Sequence, residues 1–157
     1  MRKLTLLALA GALALAALTA TTGPAAAKGG VPIGFSGTGT HQPPEWGLTR
    51  VQADVDGRVL DGTFTAGLRI PAMPAPGECG PAWMSFAVRD GGHWYDFVSL
   101  GEICAHSPQP PTSVVYAVYT GDFDLYESSR PGFADTQGWV SVRLATDGRA
   151  SVEVFPH

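Results

Sequence analysis

From Thr49 onward the chain alternates apolar and polar side chains, then reverses at a short polar or glycine-bearing turn, and repeats this to its end. Successive side chains of an extended strand point to opposite faces, so this pattern buries one face of a sheet and wets the other. Thr49, Val51, Ala53 and Val55 share one face, with Arg50, Gln52 and Asp54 on the other. Asp56-Gly57 then reads as a hairpin turn. Phe64, Ala66, Leu68 and Ile70 form the next inward row. Ala82, Met84, Phe86 and Val88 follow, with a turn at Asp90-Gly91-Gly92 and a return strand from His93 to Leu100 that is apolar on both faces, which predicts a central, enclosed strand. Residues 113–120 and 123–127 read as two strands split at Gly121-Asp122, and a last hairpin folds around Asp147-Gly148. No helical period of 3.6 competes with this pattern. The expectation is an all-β fold: one antiparallel sandwich or small barrel of seven or eight short strands.

The first 27 residues differ in kind. Arg2 and Lys3 precede an apolar run from Leu4 to Leu18 and a small-residue stretch ending at Ala27. That order predicts a secretory signal peptide forming an N-terminal helix, cleaved near Ala27. The run is shorter than the roughly 20 residues a spanning helix needs, so no stable membrane anchor is expected after cleavage. Residues 28–44, rich in glycine, threonine and proline, read as an extended lead-in, with Phe35 docking as a first short strand and the β domain proper spanning residues 45–157. The leader and the small acidic product point to a secreted, extracellular protein, and heavy alanine, glycine and proline use suggests a bacterial one.

Charge narrows the partners. The chain carries a net charge of −4, which becomes −6 once Arg2 and Lys3 are removed. An acidic domain offers no footprint for nucleic acid. Cys79 and Cys104 are the only two cysteines. In an exported chain an even count implies a disulfide, and a spacing this wide matches neither a redox nor a zinc motif. The bridge would pin the proline-rich loop 71–81.

No nucleophile elbow, zinc-protease helix, phosphate loop or dinucleotide fingerprint occurs, so neither a cofactor nor a metal is expected. The acidic run Asp122-Phe123-Asp124 with Glu127 lacks the frame of a calcium loop and reads as a solvated strand face. Four tryptophans stand out: Trp46, Trp83, Trp94 and Trp139. Alternation places Trp83 and Trp139 outward, where flat rings serve to bind sugars, and Tyr95 joins them as a binding candidate. The favoured reading is a monomeric, non-catalytic binding module for a glycan, a small apolar molecule or a protein. A second reading is a small hydrolase or isomerase, with Asp96 or Glu102 as acid or base beside His93. A third is a protein inhibitor presenting the loop at 71–81, pre-ordered by its prolines and Cys79.

Overall fold

A computed structural model describes residues 30–110 and 113–157; the leader expected at residues 1–27 lies outside them. Eight antiparallel strands form a meander that closes on itself: β1 (Phe35–His41), β2 (Leu48–Gly57), β3 (Gly62–Arg69), β4 (Cys79–Asp90), β5 (His93–Ala105), β6 (Val115–Ser128), β7 (Gln137–Ala145) and β8 (Arg149–Pro156). Each strand pairs with the next, and β1 pairs with β8 from Phe35↔Val154 to Thr40↔Arg149, so the sheet is a closed barrel and has no free edge. The all-β expectation holds, and closure decides between barrel and sandwich.

The alternation of the sequence becomes the wall. On β2, Val51, Ala53 and Val55 are buried while Arg50, Gln52 and Asp54 are exposed. The interior is filled. Phe64, Phe86 and Phe97 stack with ring centroids 5.3 and 4.7 Å apart, and Phe123 meets Phe86 and Phe97 edge-on. Ile33, Leu60 and Phe133 are buried with them, Phe133 lying 4.8 Å from the Tyr95 ring. Burying these rings is the main driving force for closure, since each removes a large apolar area from water.

Four local expectations are corrected. The glycine-rich lead-in contains β1, which pairs on both sides, so the domain begins by Phe35 and not at residue 45. Its glycines take the inward positions because there is no room for more: a Cβ on Gly37 or Gly39 would strike the Asp54 or Gln52 carbonyl. Asp56-Gly57 is not the hairpin turn. β2 runs through it and residues 58–61 make a wider loop that tucks Leu60 into the interior. Gly121-Asp122 does not break a strand either. β6 is continuous, and Gly121 faces inward where the Tyr119 hydroxyl fills the place of its missing side chain. Finally, the loop expected at 71–81 ends earlier, since Pro81 lies in β4 opposite Glu102. Pairing of β4 with β3 stops at Trp83, so beyond it a residue without an N–H is tolerated on that side.

The disulfide is formed. Cys79 and Cys104 are directly opposed on β4 and β5, with Cα atoms 4.0 Å apart.

Candidate binding surface

The outer wall carries the feature that sequence alone could not assemble. Register places Arg69 opposite Trp83, Trp83 opposite Leu100, Leu100 opposite Asp122, Asp122 opposite Trp139, and Trp139 opposite Phe155. These six residues come from six consecutive strands and form one continuous cross-strand row on the outer wall. Trp83 is 44% exposed, Leu100 78% and Phe155 49%. Trp139 is half-buried because its ring rests on Phe155, centroids 5.6 Å apart. Trp83 and Trp139 are three strand spacings apart, about 14 Å along the wall.

Trp139 borders a shallow depression in the wall, and Trp83 lies outside it, beyond Leu100. A cleft of about 570 Å³ is lined by Pro81, Leu100, Glu102, Thr120, Asp122 and Trp139, with the disulfide at one edge. Its lining includes a glycine pair, Gly101 opposite Gly121, where a Cβ on either residue would strike the paired strand. On the inner side of Gly121, the buried Tyr119 hydroxyl and Ser99 Oγ are 2.8 Å apart in a hydrogen bond. Burial holds the Tyr119 phenol above its ordinary range, the Ser99 bond opposes that shift and the Asp122 carboxylate adds to it. Tyr119 is therefore a neutral, buried support for the cleft floor. Asp122 lies 3.4 Å from His157 Nε2 at the surface.

Trp83 and Trp139 thus face outward, as alternation required, and on one row. Tyr95 does not join them. It is fully buried and its hydroxyl has no hydrogen-bond partner among the described residues. The reason is parity: Phe97 must point into the stack, and Tyr95, two residues away, points the same way. The expectation that β5 is enclosed on both faces is also corrected, because Val98 and Leu100 are exposed on its outer side. Leu100 and Phe155 are the surface residues sequence reasoning missed. The parity of β5 marks Leu100 as outward, while its apolar character points to burial.

The acid–base candidates are not brought together. Asp96 lies on the outer wall, 3.7 Å from Arg89. His93 sits at the exposed hairpin tip, its Nδ1 3.5 Å from Ser129 Oγ. Glu102 is six residues along β5 from Asp96, about 20 Å away at strand rise. Asp124 accepts a hydrogen bond from Gln137 and Asp122 faces His157, so the acidic run is spent on separate surface partners. Cys79, Glu102 and Cys104 hold their ligand-type atoms within 4.8 Å, yet both sulfurs are bonded to each other and offer no thiolate.

The loop between β3 and β4 is exposed but tied down. Gly77 N–H donates to the Ala105 carbonyl at 2.8 Å, and Ala105 N–H donates to the Glu78 carbonyl at 2.9 Å. Met73 stands out from it, 41% exposed.

The chain matches no known protein family, no curated protein sequence and no solved structure.

Proposed function

We propose that this is a secreted, non-catalytic binding module that takes a glycan chain across the outer wall of β4 to β8. The leader-like N-terminus and the disulfide support secretion. The observation that carries the ligand class is the outward row of Trp83, Leu100, Asp122 and Trp139, the last three of which border an open cleft. Sugar rings present flat C–H faces that stack on indole and hydroxyls that need acceptors, and this row offers Trp83 and Trp139 with Asp122 between them and Glu102 in the adjoining cleft. The filled interior leaves the outside as the place for a ligand of that size.

Pull-down on insoluble chitin, cellulose and bacterial peptidoglycan tests this. At least one polymer retains the protein, and the Trp83→Ala/Trp139→Ala double variant loses about tenfold or more in affinity, two stacking contacts at roughly 1 kcal/mol each. Trp94→Ala, whose ring lies under Arg89 and away from the row, binds normally. Failure to bind any of the three, or equal binding by the double variant, defeats the reading.

One observation favours a second reading, protein inhibition: the exposed β3–β4 loop is clamped at its base by two backbone hydrogen bonds and the disulfide. Clamping lowers the entropy cost of docking a loop into a cleft. Titration against subtilisin, trypsin and chymotrypsin should then give stoichiometric loss of one activity, reversed by Met73→Asp. Full activity of all three at excess protein removes it.

A further inference from the structure

The turn joining β1 to β2 puts a tryptophan where the β4–β5 turn, also a two-residue loop with both φ positive, has Gly91 and Gly92. Glu45 and Leu48 exchange two backbone hydrogen bonds of 3.0 Å, leaving Trp46 and Gly47 as a two-residue loop in which both φ angles are positive, 53° and 73°. Glycine suits such a backbone; a bulky residue such as tryptophan does not. The arm is tied to the barrel nonetheless. Pro43 and Pro44 precede it, and Ile70 N–H donates to the Gly47 carbonyl at 2.8 Å. At its tip Trp46 is 94% exposed. The fold gains nothing from holding an indole in water on a strained backbone, and such strain is a pointer to use.

Beside this arm, the outer wall over β1 to β6 holds a groove of about 680 Å³. Its floor is shallow in side chains, at Gly67 and Ser85, and its walls include Leu48, Val98 and Tyr126. Arg50 stands in it and forms no ion pair among the described residues; Glu45, on the arm, forms none either. The arm therefore offers an indole and a carboxylate, and the groove offers apolar walls, the free guanidinium of Arg50 and the Asp96 carboxylate, which is already paired with Arg89.

We propose that arm and groove are the two halves of a self-complementary interface, and that the protein associates as a twofold dimer in which Glu45 and Trp46 of each copy enter the groove of the other. A twofold contact requires both halves to lie side by side on one molecule, because each copy must give and receive at once. Leu48, two residues beyond Trp46, is already part of the groove wall, so that condition is met. Glu45 then reaches Arg50 of the second copy, which fixes register by charge. A twofold dimer departs from the monomer expected from the sequence and is independent of the glycan row.

Sedimentation equilibrium of the purified protein up to about 500 µM tests it, since a contact this small sets a dissociation constant on the order of 10–100 µM. Wild type shifts from monomer to dimer mass across that range. Trp46→Asn, which suits the left-handed backbone, stays monomeric and melts at the same or a higher temperature, showing that the indole serves association and not the fold. Glu45→Arg and Arg50→Glu each weaken association about tenfold or more, and the two combined restore it to within about threefold. A wild type that remains monomeric, a dimer that survives Trp46→Asn, or a double variant that restores nothing overturns the proposal. So does a monomer whose Trp46 is needed for polymer or protease binding, which would assign the arm to a foreign ligand.

Discussion

Replacing Phe86 with alanine is expected to lower the unfolding free energy by about 3–5 kcal/mol, the largest effect of any single substitution considered for this protein. Phe86 is the hub of the interior. It lies 5.3 Å from Phe64, 4.7 Å from Phe97 and 5.6 Å from Phe123, centroid to centroid. Truncation removes the transfer free energy of one ring and leaves three others facing a void. A closed barrel relaxes poorly into that void, because every strand is held on both sides and none can move inward alone. Urea unfolding followed by tryptophan fluorescence measures it. The contrast is Leu100→Ala, on the same sheet but 78% exposed, which should cost under about 0.5 kcal/mol. A loss below about 1.5 kcal/mol at Phe86 would mean that the interior is not packed around this ring.

Removing the disulfide is the second large effect. Cys79→Ala/Cys104→Ala should lower stability by about 3.5 kcal/mol, the chain entropy released when a loop of this size is no longer closed in the unfolded state. The bond joins positions 25 apart in sequence that are already opposed in the β4–β5 ladder. The native barrel therefore hardly changes, and most of the effect falls on the unfolded chain. Two consequences separate this from a core defect. The urea m-value should rise slightly, because the unreduced unfolded chain is more compact than the opened one. Amide exchange should accelerate at the Cys79 and Ala105 ends of the hairpin and in the clamped loop, but not at Phe86 or Phe97. Equal stability of the double variant would show that the hairpin's own pairing already removes that freedom in the unfolded ensemble.

Much of the barrel was legible residue by residue, and where it was not the causes are specific. The inward rows of β2, β3 and β4 follow directly from alternation, and Cys79–Cys104 from cysteine count. β1 was harder, because Phe35-Ser36-Gly37-Thr38-Gly39-Thr40 alternates in size and not in hydropathy, with glycine on the inside. Its glycine content suggested a linker, yet those glycines are required by the close approach of β2. Gly121 misled in the opposite sense: a glycine followed by aspartate has the composition of a turn, but here it makes room for the Tyr119 hydroxyl within a single strand. Tyr95 was misplaced for a related reason, since an aromatic residue is equally suited to a binding face and to a core. Only the parity set by Phe97 separates the two.

For the binding surface, Trp83 and Trp139 were found as outward residues but not as neighbours on a row. Leu100 and Phe155 were not found at all.

The amino-acid order alone settled which side chains of most strands face in and which face out, that two cysteines pair, and that sheet and not helix would form. These are local properties, written within a few residues by the two-residue repeat of an extended chain. Whether the sheet closes, and which outward residues share a cross-strand row, depends on pairing between segments far apart, β1 with β8 above all. Register across eight strands is fixed by turn lengths and by how the rings pack inside. No single strand carries that information, so the row from Trp83 to Phe155 and the Trp46 arm beside its groove exist only in the folded barrel.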